Sequence, residues 1–348
     1  MNAVCFQKGE SPRRWLFAGL VLVGAAWPCV AIAADAKAVV WPAAPAAPRI
    51  AFVQSFSEPK DLGIKKGFFR RFGEIFTGSE TRRLIRPMSV LALDGVIYVG
   101  DPGAKAVHRF DTRRQRYALI KREGHAALPS PVGLAHDKNG KVYIADSVLG
   151  KIFVLGRKDK FATPLTLDTA LTQPTGIAVD LQNSNLYVTD TSSHQVKVFN
   201  KDGNLVRAIG QRGDRKGTFN YPTMLWLSSP GELMVTDSLN FRIQTFSVDG
   251  TFTRGFGKLG NATGYLSRPK GVASDVEENI YVVDSLFHAM QIFDKSGSLL
   301  LSIGKQGKAI GEFWLPTGIY IAADRKIYVA DSHNQRIQVF RPVTRGAS

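Results

Sequence analysis

An aspartate that ends a short, largely β-branched run recurs at Asp101, Asp146, Asp190, Asp237, Asp284 and Asp331, at intervals of 45, 44, 47, 47 and 47 residues. Nine residues after each stands a large apolar residue: Phe110, Leu155, Phe199, Phe246, Phe293 and Phe340. A proline lies fourteen to sixteen residues before each aspartate (Pro87, Pro131, Pro174, Pro222, Pro269, Pro316) and opens a run such as PTGIAVD or PKGVASD. Internal repetition of this period means one supersecondary unit copied along the chain. In the third unit the pattern predicts four strands: a over 175–180, b over 186–189, c over 195–199 and d over 205–209, with Asn183-Ser184 and Asp202-Gly203 as turns. Near-continuous apolar strands such as IYVVD and IYVAD need burial on both faces, which a four-stranded propeller blade obtains from its two neighbours.

The sixth unit reaches strand c at Phe340 with eight residues remaining, so its fourth strand must come from elsewhere. Arg49–Phe56 (RIAFVQSF) precedes the first unit and resembles the d strands LVRAIG and LLLSIG. The expected fold is therefore all-β, a single six-bladed β-propeller of four-stranded antiparallel blades over 87–340. An N-terminal clasp at 49–57 would complete blade six and remove the open edges of a linear array. Residues 341–348 are expected to be a short tail.

The motifs Pro-x-Gly-[Ile/Val]-Ala, Tyr-Val-x-Asp-[Ser/Thr] and Asn-x-Arg-Ile-Gln-x-Phe resemble the NHL-repeat family of six-bladed propellers. They are clearest in Asp237-Ser238-Leu239-Asn240-Phe241-Arg242-Ile243-Gln244 and Asp331-Ser332-His333-Asn334-Gln335-Arg336-Ile337-Gln338. Blades one and two depart, with Ser89 for the inner glycine, Pro102 after Asp101 and no Asn-x-Arg. The resemblance implies a range of activities: lyases, lactonase-like hydrolases, RNA-binding modules and scaffolds. It also implies, for the lyases, a metal-binding histidine after a strand-opening proline. Here those positions hold Met88, Val132, Thr175, Thr223, Lys270 and Thr317, none a usual zinc ligand. The inner-strand acids and asparagine of the lactonase-like relatives have no counterparts at the matching positions either.

The six repeat aspartates are read as structural, each accepting hydrogen bonds from the amides of the turn that follows it. His194, His288 and His333 fall in b-to-c loops at one end of the ring and are read as solvated loop histidines, with a metal site or acid–base work as the alternative. His136 is read as a satisfied inner-strand histidine. The glycine runs at Gly210, Gly213 and Gly217, at Gly257, Gly260 and Gly264, and at Gly304, Gly307 and Gly311 join strand d to strand a. They lack the strand-to-helix context of a phosphate-binding loop. No cofactor is expected.

Compartment and charge narrow the function. Arg13-Arg14 precede an apolar run from Trp15 to Val23, and Ala31-Ile32-Ala33 is a small-x-small cleavage pattern, so 1–33 reads as a signal peptide. Both cysteines, Cys5 and Cys29, lie within it, so thiol chemistry is excluded from the mature chain. Residues 34–48 (DAKAVVWPAAPAAP and the preceding Ala34) read as an Ala/Pro spacer. Over 58–86, Ile64, Phe68, Phe69, Phe72, Ile75 and Phe76 fall on one face of a helix, beside Lys65, Lys66, Arg70 and Arg71. That insertion either covers one end of the propeller or, through 60–76, touches a membrane surface.

The chain carries 45 Lys and Arg against 29 Asp and Glu, a net +16, which points to an anionic partner. The d-to-a loops hold ten cations (Lys121, Arg122, Arg212, Arg215, Lys216, Lys258, Arg268, Lys270, Lys305 and Lys308) and three acids (Glu123, Asp214 and Glu312). Acids such as Asp137, Asp180, Glu232, Asp249, Asp275, Glu277, Glu278 and Asp324 gather instead in the a-to-b and c-to-d turns. Phe219, Tyr221, Tyr265, Phe313 and Trp314 lie among the basic loops, where they either pack onto the blade below or offer stacking surfaces to a partner. The function expected is an exported, non-enzymatic, monomeric binding or scaffold module for an anionic envelope component or an acidic protein. The alternatives are a metal-dependent lyase or hydrolase and a nucleic-acid-binding module, the last disfavoured by export.

Overall fold

A computed structural model describes residues 39–47, 49–65, 82–228 and 231–343. The signal peptide, most of the helical face (Lys66, Phe68, Phe69, Arg70, Arg71, Phe72, Ile75 and Phe76) and the end of the tail lie outside the described residues. Strands in the third unit run Pro174–Val179, Leu186–Asp190, Gln195–Phe199 and Leu205–Ile209, in spatial order a-b-c-d. The fourth unit (Pro222–Leu227, Glu232–Asp237, Arg242–Ser247, Phe252–Phe256) and the fifth (Pro269–Ser274, Ile280–Asp284, Ala289–Phe293, Leu299–Ile303) repeat that order. The first two units form one eight-stranded sheet, because their outer strands Arg116–Arg122 and Phe161–Pro164 pair in parallel. Propeller geometry is thus the fold of the chain, with each inner strand packed on the next and blade six returning to blade one.

The clasp completes blade six as expected. Ile50–Phe56 pairs antiparallel with Arg336–Pro342, which lies beside Ile327–Asp331 and Ile319–Ile321. Its register carries the same irregularity as the d strands of blades three, four and five. Val53 is skipped between Phe52 and Gln54, as Val206 is skipped opposite Val198 and Phe199. A β-bulge turns that one residue out of the ladder, and both valines are exposed. Strand c runs on to Pro342, so 341–342 belong to the sheet rather than to a tail.

The 34–48 segment is not wholly a spacer. Val40–Trp41 adds a fifth strand outside the clasp, because Trp41 finds an apolar seat edge-on to Phe340, with ring centroids 5.7 Å apart. In the insertion, the described part of the expected helix is a single 3-10 turn at Pro59–Leu62. Ile64 and Leu84, on either side of the undescribed stretch, are buried with Phe56, Val90 and Phe110.

The repeat signals now have physical causes. Each large residue nine positions after an aspartate is essentially fully buried between blades. The motif glycine allows close approach of inner strands: a Cβ on Gly176 would stand 2.6 Å from the Thr223 carbonyl oxygen and 2.7 Å from the Leu225 nitrogen of the next blade. Gly133, Gly271 and Gly318 meet the following blade's backbone in the same way.

Candidate functional site

All six repeat aspartates are fully buried. Asp284 shows the pattern, accepting from the Leu286 and Phe287 amides of the turn that follows and from the Ser267 and Arg268 amides of the incoming d-to-a loop. The hydrogen bonding reaches beyond the following turn, since each aspartate also holds the loop that leads into its own blade. In blades four and six the turn amides give way to side chains. Asp237 accepts from Asn240 and Arg242, and Asp331 from Asn334 and Arg336. Arg242 in turn donates to the carbonyl oxygens of Asp214, Arg215 and Thr218, which fixes the loop bearing Arg212, Arg215 and Lys216. Burial pushes the Asp101 carboxyl up, but His108 and the Ile85 and Arg86 amides outweigh it and leave it below the ordinary carboxylate range. At Asp237 burial wins and the carboxyl is raised.

The three loop histidines are not brought together as a metal site. His194 and His288 occupy equivalent left-handed positions, and each Nδ1 accepts the backbone N–H that precedes the next blade's proline, from Tyr221 at 3.1 Å and Leu315 at 3.0 Å. They clamp adjacent blades. Burial, ahead of any neighbouring charge, holds the His288 imidazole below its ordinary pKa, which keeps that nitrogen an acceptor. His333 instead packs against Trp314, with centroids 5.7 Å apart. Among the described residues no three His, Cys, Asp or Glu are grouped so as to hold a metal ion.

The basic loops share one end of the ring with the repeat aspartates. Arg212, Arg215, Lys216, Lys258, Arg268, Lys305 and Lys308 are exposed. Lys305 pairs with Glu312 at 3.3 Å, while the other six have no ion-pair partner among the described residues. Trp314 and Tyr221 are exposed beside them, Trp314 under the Lys308 ammonium at 6.0 Å and Tyr221 edge-on to His194 at 4.6 Å. Tyr265 is half-buried beneath Lys258.

Two of the loop aromatics pack rather than stack. Phe219 and Phe313 are completely buried, because each glycine-rich loop folds back on itself, bridging Arg212 to Phe219 and Gln306 to Phe313, and so tucks the ring under the loop. Lys270 also differs, being half-buried and without a hydrogen-bond or ion-pair partner among the described residues; burial and then the Arg268 charge lower its pKa. At the other end the acids mostly serve their own turns, as Asp137 does for the Asn139 and Lys141 amides and Asp275 for those of Glu277 and Asn279.

Sequence reasoning missed the central channel. The inner strands enclose a cavity of about 380 Å³ that runs toward the a-to-b turns, lined mainly by aliphatic residues with Trp226, Tyr320 and His136. Tyr320 crosses it, edge-on to Trp226 at 5.6 Å and 3.3 Å from His136 Nε2, joining blades six, four and two. The signal was present in the repeat: blades two, three and five carry Ala135, Ala178 and Ala273 where blades four and six carry Trp226 and Tyr320.

An NHL repeat family model matches residues 171–199 and 313–340, which span blade three and blade six from the incoming loop to strand c. The chain carries NHL repeats on a propeller fold. Similar solved structures include a catalytically inactive virginiamycin B lyase from Staphylococcus aureus with quinupristin (16% identity, TM-score 0.55, covering 77% of this chain and 97% of that one). Another is an auxiliary nutrient binding protein from Bacteroides thetaiotaomicron (12% identity, TM-score 0.60, 76% and 71%). A third is a chain of a nidogen/laminin complex (23% identity, TM-score 0.50, 63% and 79%). At such identities the likeness is one of fold. Among the described residues no helix is long and apolar enough to cross a membrane.

Proposed function

We propose that this NHL propeller is an exported, non-enzymatic binding module whose basic end docks an anionic component of the cell envelope, such as an acidic polysaccharide or an acidic protein. One observation carries the reading. Six exposed cations without ion-pair partners among the described residues stand on loops at a single end, with Tyr221 and Trp314 between them. Cations left unpaired on one face raise the local concentration of anions, and the aromatic rings add contact area. The loops are held rigid by Arg242, Arg336 and the repeat aspartates, so little ordering entropy is lost when a partner docks. Export rests on the 1–33 leader. Structural neighbours that bind nutrients or form a protein complex agree with a binding role.

Dextran sulfate serves as the probe, and crosslinking in intact cells identifies the natural partner. Retention should fall as salt rises through the range where the screening length shrinks from about 10 to 3 Å. Reversing Arg212, Arg215 and Lys216 to Glu should weaken both dextran sulfate retention and partner capture. Reversing Lys138, Lys141 and Lys201 at the opposite end should have less effect, and equal effects from the two sets would sink the proposal.

A further inference from the structure

We propose that the central channel is a second, separate binding site, for a neutral small molecule with a flat ring body and a hydroxyl or similar donor at its edge. The size is right, since cavities for small molecules run from about 300 to 1,000 Å³ and this one holds about 380 Å³.

The repeat itself shows that a blade can close without a large ring at this position. At the fifth position of the inner-strand motif, alanine suffices in blades two, three and five, where Ala135 and Ala273 are buried in the blade packing. Trp226 and Tyr320 at the same position put two large rings into the cavity instead. Trp226 also leaves its buried Nε1–H without a hydrogen-bond partner among the described residues, a cost that alanine would avoid. At the sixth position His136 and Ser274 replace the apolar Val179, Leu227 and Ile321.

The hydrogen-bonding roles can be assigned. His136 Nδ1 lies 2.9 Å from the Asp137 carbonyl oxygen, which can only accept, so Nδ1 carries the proton. Nε2 is then the acceptor, and the Tyr320 hydroxyl donates to it at 3.3 Å. The Tyr320 oxygen keeps its own lone pairs to accept from a ligand. Ser274, about nine-tenths buried at 8% exposure, lines the same cavity and has no hydrogen-bond partner among the described residues.

The ligand should be uncharged. The charged side chains on the lining, Asp275 and Arg325, are already engaged: Asp275 by the Glu277 and Asn279 amides and the Tyr281 hydroxyl, Arg325 by Glu277. A charge brought into this apolar space would find no counter-ion. Exposed Leu181 and Val276 form an apolar lip at the a-to-b turns, so entry is from the end opposite the basic loops.

2-Naphthol is a suitable probe, with two fused rings and one hydroxyl. Calorimetric titration and ligand-observed saturation-transfer NMR on the full mature chain should show saturable one-to-one binding. Trp226→Ala installs the residue that blades two, three and five use, and should weaken binding by roughly tenfold or more. Ser274→Ala should weaken it by roughly three- to tenfold. Ala323→Trp, at an exposed position on the lip, should block entry without touching the packing, and carries the test if Trp226→Ala lowers stability. Reversal of Arg212, Arg215 and Lys216 should leave binding unchanged. The proposal is overturned if the wild-type chain shows no saturable binding, if Ala323→Trp binds as the wild type does, or if the triple reversal abolishes binding. Equally tight binding of naphthalene-2-sulfonate would overturn the neutral specificity.

Discussion

Deleting Arg49–Phe56 should remove most of the protein's stability, although it takes away only eight residues. Ile50 and Phe56 are 2% and 1% exposed, and Phe56 packs edge-on to Phe110 of blade one at 5.5 Å. Phe340, otherwise fully buried, loses Phe52, whose ring centroid lies 6.0 Å away. Each large apolar side chain moved from core to water costs about 1.5–3 kcal/mol. Losing Ile50 and Phe56 and half-uncovering Phe340 and Phe110 amounts to three such side chains, or roughly 5–9 kcal/mol. Single domains are stable by about 5–15 kcal/mol, so the truncated ring should be unfolded or nearly so. Denaturant titration of the mature protein, followed by circular dichroism, measures the loss. Phe56→Ala should cost about 3–5 kcal/mol, whereas Val53→Ala, at the exposed bulge, should fall within about 0.5 kcal/mol of the wild type. A deletion that melts within a few degrees of the intact protein, or a Phe56→Ala cost no larger than that of Val53→Ala, would refute the assignment of the clasp.

Other consequences follow from the same packing. Gly176→Ala should cost about 1–3 kcal/mol in denaturant titration, since its Cβ would press on backbone atoms of the next blade that have no rotamer to change. The lowered pKa of His288 means that its contribution to stability is complete above the unfolded value of about 6.5 and is lost as pH falls below it. Stability measured from pH 7.5 to 5 should therefore decline less in His288→Asn, which cannot titrate. Lys270 is a depressed base, so the wild type should gain stability as pH rises from its folded pKa toward 10.5. At neutral pH Lys270→Thr, the residue of blades three, four and six, should stabilise the protein by roughly 1 kcal/mol, and a drop in melting temperature would contradict the buried, unpartnered state. Intact mass of the exported protein should place its first residue at Ala34; retention of 1–33 would remove the basis for export.

What the sequence made legible is what the fold must repeat. The aspartates, the buried residue nine positions on and the Pro-x-Gly run recur because every blade has the same two neighbours to satisfy, and a period of 44–47 residues makes that requirement visible without coordinates. The clasp was legible for the same reason, as a missing copy. Phe219 and Phe313 left packing and stacking open because composition only places an aromatic residue in a polar loop, whereas the loop's own reversal, set by Gly210 and Gly217 at positive φ in the first case and by Gly304 and Gly311 in the second, decides whether the ring faces water. Trp41 was hidden in an Ala/Pro-rich stretch because its partner Phe340 is nearly three hundred positions away. The histidines looked like free loop ligands because nothing local shows that the next blade's backbone needs an acceptor there.

Residues that serve the ring recur from blade to blade, and residues that break the recurrence at buried positions carry a cost that the ring does not require. Lys270 holds a desolvated ammonium where three blades use threonine, and Trp226 holds an unpaired indole N–H where three blades use alanine. Both lie on inner strands, Lys270 at the start, beside the basic loops, and Trp226 near the far end of its strand, toward the a-to-b turns. A stability cost confined to single copies of a repeat is what binding at a unique point on a quasi-symmetric ring requires, since identical blades would offer several equivalent and competing sites. The two assays separate the ends. Salt and loop charge reversal should act on the anionic partner alone, and Trp226→Ala and Ala323→Trp should act on the neutral one alone. A variant set in which both responses moved together would mean one site, not two.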